Sequence, residues 1–570
     1  MTPDIKQIND NSKSVDSPPT LPKSSRSDSP TGIGMGREIS ESHQCESLLE
    51  ELPLEIKYKV IDSLNLPTVA LLKRTCFKFY NAIQEGDALA KAWYHRFPSA
   101  HQAQLKTVIS TKDNNQLSGW LGQFTNDETL IESIAGRRES DAFPAIFCFT
   151  MSELMSKCKT FKLVEKGEIS HGSQIVSASF SGDGRHVVTN TAVFGHNIAK
   201  ISGQGISGSW EVKTNIVHTD FINSATFSPD GSHLVTASDD GRARIYGLRA
   251  DGSWEAKLTI THGEKVNSAT FSPGGALVVT SSDDHSARIY GQAANGSWAP
   301  KATIFHEAAV MSASFSADRR YVISAGADDK AIIHRQEDDG SWLEKGSIPH
   351  DSFVRLATFS PDSTHVLTAS DDSKMKIYVQ KADGSWEAKA VIPHSAWVSS
   401  ATFSPDGSRV MTASDDSTVK IYGHKAGGSW EPEAIICHEC CVRSANFSAD
   451  GRHVVTASQD KTVKIYGLKD GVWIEKASIA HDGWVNSAVF SADGRHVVTA
   501  SKDKTAKIIG QQIDGSWVVK ASISHQDEVN SATFSADCCH VLTASEDGTA
   551  KIIEIRGSLV SPEPAQAGSD

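Results

Sequence analysis

The chain has 570 residues, of which 39% are hydrophobic, 22% charged and 7% aromatic, and its formal net charge is −13. That length is too great for one compact core, and the acidic balance argues against a general nucleic-acid binder, which usually carries a basic face. Met1 opens onto a polar segment, no apolar run approaches the roughly 18 residues of a membrane span, and the nine cysteines lack framework spacing, so no secretory leader, membrane partner or disulfide scaffold is expected.

Residues 1–46 are rich in Ser, Pro, Asp and Lys without an apolar period. Such a segment cannot bury enough surface to offset its ordering entropy, so it reads as a disordered leader. The Ser-Pro pairs at Ser17 and Ser29 are possible phosphorylation sites, but a plain leader accounts for them as well. The run Gly32-Ile33-Gly34-Met35-Gly36 looks like a phosphate loop, yet no strand precedes it and no amphipathic helix follows it.

From 48 to 83 the chain reads LLEELPLEIKYKVIDSLNLPTVALLKRTCFKFYNAI. Ile56, Val60, Ile61 and Leu64 keep a helical beat, Pro53 suits a first helical turn, and Glu55 suits the positive end of that helix. Pro67 punctuates, and Val69, Leu71, Leu72, Cys76, Phe79 and Ile83 form a second apolar helix or bent pair. The unit is too short for a private core, so one face is expected to meet something else. We assign 47–95 to this helical domain and 96–157 to a helical linker, with patches at Ala88 to Tyr94, Leu105 to Ile109, Leu117 to Phe124 and Glu128 to Ile134.

The opening Leu52-Pro53-x-Glu55-Ile56, the Val60-Ile61-x-x-Leu64 step, the Leu71/Leu72 pair and the aromatic end at Phe77, Phe79 and Tyr80 resemble the F-box. The family usually has a Trp near that end; Phe79 or Tyr80 stands in for it here. The resemblance implies docking on the Skp-family adaptor of an SCF-type cullin–RING ubiquitin ligase, with Leu52, Pro53, Ile56, Val60, Ile61 and Leu64 supplying much of the contact. The plain alternative is a helical cap on the domain that follows.

From 158 to 557 one unit is copied nine times. Its "SAxFS" Phe falls at Phe180, Phe227, Phe271, Phe315, Phe359, Phe403, Phe447, Phe490 and Phe534, spaced 47, 44, 44, 44, 44, 44, 43 and 44 residues apart. A Trp (Trp210, Trp254, Trp298, Trp342, Trp386, Trp430, Trp473, Trp517) and a His eight residues later keep the same beat. Period-two alternation, broken by Asp- and Gly-rich turns such as Pro229-Asp230-Gly231, predicts four short strands per unit. Units of this size stack radially into a β-propeller. The last unit ends after a third strand, and Leu163 to His171 (LVEKGEISH) lines up with Trp342 to His350 (WLEKGSIPH), so the missing strand comes from ahead of the first unit. The expected fold is therefore mainly β, a propeller of nine four-stranded blades, with eight as the alternative; residues 558–570 read as a disordered tail.

The unit resembles a WD repeat, although the WD dipeptide itself is absent. In the second unit His218, Ser238 and Asp240 match the family's polar network; His262 and Asp284, and His394 and Asp416, recur in register. At the family's Trp position stand Tyr246, Tyr290, His334, Tyr378, Tyr422, Tyr466, Ile509 and Ile553. A Tyr hydroxyl can replace an indole donor and Ile cannot, which predicts shorter networks in the last two blades. The first unit lacks the Asp and carries an insertion.

Recurring His, Asp and Ser resemble a hydrolytic triad in type, but a catalytic set occurs once, so the recurrence reads as structure. Cys437-His438-Glu439-Cys440-Cys441, with Cys538-Cys539, resembles metal chemistry, but His438 is the network His; no metal, cofactor or catalytic residue is expected. Function should lie where units differ. Three residues after each His stand Phe221, Lys265, Phe353, Trp397, Cys441, Trp484 and Glu528, with Arg355 and Arg443 two further on; aromatics and Arg are the usual anchors of interfaces. Of these, Phe221, Lys265, Phe353, Arg355, Trp397, Arg443 and Trp484 are the candidate substrate-binding residues. Asp239, Asp283, Asp371, Asp415 and Glu546 form an acidic rim that favours a basic or mixed partner segment, while Arg355 and Arg443 leave a phosphorylated one open. The resemblances together imply a cytoplasmic or nuclear substrate-recognition subunit of a cullin ligase. The alternatives are a scaffold with no ubiquitin role and a bacterial effector borrowing a host ligase in the host cytosol.

Overall fold

The computed structural model describes residues 88–557, apart from 98, 111, 126, 192–196, 206–208 and 513. The leader, the adaptor-facing residues Leu52, Pro53, Ile56, Val60, Ile61 and Leu64, and the tail therefore lie outside the described residues.

Each unit folds into a four-stranded antiparallel sheet, and there are nine such sheets. In blade 2 the strands run outward from the axis as Ile222–Phe227, His233–Ser238, Arg242–Leu248 and Trp254–Thr261. Leu234 through Ser238 are all buried, because neighbouring blades cover both faces of that second strand. The outer strand buries Trp254 and Ile260 and leaves most of its other residues wet. Between the second and third strands Asp240 accepts from the Arg242 N–H at 3.0 Å, and the turn residue takes a left-handed φ: 73° at Gly241 and 67° at Ser417 in blade 6.

The ring closes as the strand count requires. Phe161–Ser170 pairs antiparallel with Thr549–Gly557, from Phe161 opposite Gly557 to Ser170 opposite Thr549, and completes blade 9. The inner strands of blades 9 and 1 then lie side by side, so the eight-bladed alternative does not hold. Blades 1 to 9 begin their inner strands at Ile175, Ile222, Val266, Val310, Val354, Val398, Val442, Val485 and Val529. The core sits between blades: Val235, Ala237, Ile245 and Ile260 of blade 2 pack with Val266, Phe271, Val278 and Trp298 of blade 3.

Five described helices precede the ring: α1 (Ala88–Tyr94), α2 (Ser99–Ser110), α3 (Asn114–Leu121), α4 (Glu128–Ala135) and α5 (Phe143–Lys157). Asp113 and Gln116 form a reciprocal cap on α3, and Asp127 caps α4. The helix α5 was not among the sequence-predicted patches. It is apolar nearly all round (FPAIFCFTM), so it has little amphipathic period, and it is buried between the other helices and the ring.

These helices are no free connector. They share one apolar core with blades 8 and 9, including Trp93, Trp120, Phe147, Met155, Val498 and Phe534. Polar ties reinforce it: Arg96 pairs with Asp450 at 3.4 Å, Ser152 donates to Asp493 at 2.9 Å, Glu153 pairs with Arg495 at 2.6 Å, and Gln123 donates to Glu554 at 2.7 Å. The turns that carry Asp450, Asp493 and Asp537 join inner to second strands. In each antiparallel sheet those turns lie at the opposite end from the loops that carry the His and Asp network. The helical layer thus covers one face of the ring at blades 7 to 9 and leaves the network face open.

Candidate partner-binding face

On the open face each blade from 2 to 9 holds the same bonded set. The His Nδ1 meets the Asp carboxylate at 2.7–3.0 Å, and its Nε2 meets a second-strand hydroxyl at 2.7–2.9 Å. A neutral ring that donates from Nδ1 to the carboxylate leaves Nε2 to accept from that hydroxyl. Burial, partly offset by the Asp charge, lowers the pKa of His218, His262 and His394 from the ordinary 6.5. Burial alone would raise Asp416, but bonds from Thr418, the Ser395 N–H and His394 hold it well below the usual carboxylate range. Both ring nitrogens are spent on structure, as is the Asp, so the set has no free base or nucleophile to offer.

Two sequence expectations about this network are corrected. The hydroxyl bonded to His218 belongs to Thr236, not Ser238; Ser238 donates instead to the Asp220 carbonyl at 3.1 Å and accepts from the Asp240 N–H. Thr236 sits two residues earlier on the strand and so shares a face with Ser238, which the letters alone could not separate. The tyrosines at the Trp position are also outside the set: Tyr466, for one, donates to Glu475 at 2.8 Å. Accordingly Ile509 and Ile553 shorten nothing, and His481 and His525 keep both of their bonds. In blade 1 His171 keeps its hydroxyl, Thr189, at 2.8 Å; burial and then Lys200 push its pKa down to about 4.

Immediately above the network lies the variable ring. In each blade from 2 to 9 the residue three after the His accepts, through its carbonyl, the N–H of the rim residue just before the network Asp, as Trp397 does for Asp415 at 2.9 Å. Two side chains per blade are thereby held next to each other. Trp397, Phe353 and Trp484 are 58%, 48% and 44% exposed and form an arc over blades 5 to 8. Arg355 grips Asp371 through two bonds of 2.5 and 2.7 Å and lies over the Trp397 ring at 5.6 Å. Lys265 is exposed but bound to Asp239 at 2.7 Å, Phe221 is half-buried, and Arg443 lies against Gln459. Lys502, which the sequence reading passed over, occupies a rim position where other blades have Asp; it pairs with Glu528 at 2.8 Å and lies 5.1 Å from the Trp484 ring. Its signal was the charge reversal at that register. The cysteines do not gather: Cys538 and Cys539 are buried, Cys539 under Trp120, while Cys437 is exposed. No group of three or more His, Cys, Asp or Glu among the described residues is placed to hold a metal ion, and no described helix is long and apolar enough to cross a membrane.

A closed ring of repeated blades, polar networks spent on structure and a face of variable side chains together define a β-propeller of the protein-interaction class. The sequence model of the WD domain, G-beta repeat family matches residues 210–247, 254–291, 298–334, 345–378, 387–423, 430–467, 475–509 and 517–554, more than half of the chain. The chain belongs to that family. The unmatched repeat is the first one, which lacks the network Asp. Among solved structures it is similar to Chaetomium thermophilum Sqt1 bound to the N-terminus of the ribosomal protein L10 (15% identity, TM-score 0.50, covering 70% of this chain and 100% of that one). It is likewise similar to Saccharomyces cerevisiae Sqt1 (12% identity, TM-score 0.50, covering 70% and 100%). These likenesses are of fold. No curated protein sequence matches the chain.

Proposed function

We propose that this chain is a non-catalytic substrate receptor of an SCF-type cullin–RING ubiquitin ligase. The segment 48–83 docks on a Skp-family adaptor through Leu52, Pro53, Ile56, Val60, Ile61 and Leu64, and the arc of Phe353, Trp397 and Trp484 holds a protein partner. Arg355 and Arg443 stand on the blades of that arc and tune it, and Phe221 and Lys265 extend the same face over blades 2 and 3. The observation that carries the partner-binding half is the arc itself: three large aromatics exposed on a rigid ring, flanked by Arg and Lys. The Leu52-Pro53-x-Glu55-Ile56 opening and the apolar steps after it support the adaptor half. Because the helical layer covers the other face, an adaptor and a partner can be held together, and transfer is promoted by proximity. Sqt1, bound to a ribosomal protein's N-terminus, is a precedent for a peptide segment on this fold.

An interaction scaffold with no ubiquitin role is the second reading. The bracing of α1–α5 against blades 7 to 9 favours it, since that bracing needs no adaptor. Co-expression of the full chain with a Skp-family adaptor separates the two. Adaptor should co-elute with the wild type and be lost from the Leu52→Ala/Pro53→Ala double variant. Absence from both sinks the ligase reading and leaves the scaffold.

A further inference from the structure

The rim acids are not equivalent. Asp239 accepts from Lys265 and Asn223, Asp283 from Asn267, Asp371 from Arg355, and Glu546 from Gln174. Asp415, in blade 6, is the exception: its Oδ1 is buried without a hydrogen-bond partner among the described residues. Two substitutions within the repeat explain this. The inner-strand position that supplies Asn223, Asn267 and Arg355 is Ser399 here, and the Ser399 hydroxyl donates to the Ala413 and Val442 carbonyls instead. The position across the seam that supplies Lys265 in blade 3 is Cys441 in blade 7, which is too short to bring a cation. Burial first, and the Asp415 charge second, push the Cys441 thiol up, in keeping with a carboxylate facing it across the seam.

The ring also shows what fills such a seam when it is complete. Between blades 2 and 3 an ammonium sits 2.7 Å from the rim acid, and between blades 8 and 9 Lys502 and Glu528 make the same bond with the charges exchanged. Between blades 5 and 6 a guanidinium is held by Asp371 and lies against Trp397. The seam between blades 6 and 7 therefore holds half of an ion pair, on the residue whose backbone N–H is bonded to the carbonyl of Trp397, the most exposed aromatic of the arc. A buried carboxylate oxygen without a donor is costly, and a charge-assisted bond to it is among the stronger contacts an interface can make. An adjacent indole adds attraction for a cation.

We propose that Asp415 and Trp397 form a receptor for one basic side chain, lysine or arginine, in an extended segment of a protein partner. The proposal rests on the reading that this face binds protein and specifies what it selects. A phosphorylated segment is disfavoured at this point of the face: Asp415 repels it, and the guanidinium of Arg355 is already taken up by Asp371.

The test is selection of random phage-displayed 12-residue peptides on the full chain, followed by titration of a selected peptide. The peptides should share a Lys or Arg, and replacing that residue by norleucine should weaken binding about 10- to 100-fold, the value of one charge-assisted bond. Asp415→Asn should lose the same factor, while Asp239→Asn, whose carboxylate is already occupied, should stay within about twofold. Asp415→Asn should melt no lower than the wild type, since the Asp415 Oδ1 holds nothing in place. Peptides that bind the arc, are lost with Phe353→Ala and Trp484→Ala, but lack a shared basic residue or ignore Asp415→Asn, overturn the inference and leave the face reading intact. Enrichment of nothing, or only of peptides indifferent to all of these changes, overturns both.

Discussion

Replacing Lys520 by Met should loosen the helical layer from the ring. Lys520 lies on the outer strand of blade 8 and is 3% exposed. Its ammonium donates to the carbonyls of Met155, Ser156 and Cys158 at 3.2, 3.2 and 2.6 Å, at the end of α5 where the helix's own bonding runs out, and it lies 5.3 Å from the Phe161 ring. Burial lowers its pKa from the ordinary 10.5, with partial compensation from Cys158 and Asp493. Met keeps the apolar stem but strands the Ser156 and Cys158 carbonyls, while that of Met155 keeps the Cys158 N–H. A bond to a charged group contributes about 1.5–3 kcal/mol, and desolvation of the ammonium itself offsets part of the sum, so a net loss of about 2–3 kcal/mol is expected. Native-state hydrogen exchange reads this locally: amides of α5 and of Phe161–Ser170 should exchange roughly 30- to 150-fold faster, while those of blades 3 to 5 stay unchanged. Lys257→Met is the control. It occupies the same place in blade 2, is partly exposed, pairs only with the neighbouring Glu255, and should change stability by less than about 0.5 kcal/mol. A response at Lys520 no larger than at Lys257 would refute the idea that this lysine clamps the helices.

Two further outcomes follow from the network. Thr412→Val leaves the Nε2 of buried His394 without its hydroxyl and should cost about 1–2 kcal/mol in urea unfolding, whereas Tyr422→Phe should stay within about 0.5 kcal/mol; equal costs would return the Tyr to the network. Acidification should weaken the ring. The pKa values of His218 and His394 lie below 6.5 in the fold, and those of His171 and His334 as far down as about 4, so the unfolded chain binds more protons below pH 6.5. Stability is therefore full above that value and falls through the interval down to about pH 4. The lowered Asp residues, such as Asp460 at about 2, add a further loss below the ordinary 3.8. Urea midpoints measured from pH 7.5 to 4.5 should decline steadily, and a rise on acidification would contradict this sign.

What repetition made legible was whatever every copy shares. The blade and its strand count are the same in each unit and the His–Asp bond in blades 2 to 9, so the copies averaged out the ambiguity of any one and exposed the strand that the last blade borrows from ahead of the first. What repetition hid was the fate of shared letters in unequal surroundings. Lys257 and Lys520 hold the same place in the repeat, as do Asp230 and Asp493, yet Lys520 and Asp493 are buried because α5 lies over blade 8 and no described helix lies over blade 2. No periodicity in the propeller announces that layer, and α5, apolar all round, has no period of its own to announce it. The open face shows the converse. There the variable letters were visible, and Trp397 stood out, but Asp415 looked like any other rim acid. Its difference comes from Ser399 and Cys441, two unremarkable residues on different blades, each of which removes the donor that its counterpart supplies elsewhere. In a chain of near-identical units, specificity can thus be written as the absence of an internal partner. That absence can be recognised only when the seam between two blades is assembled.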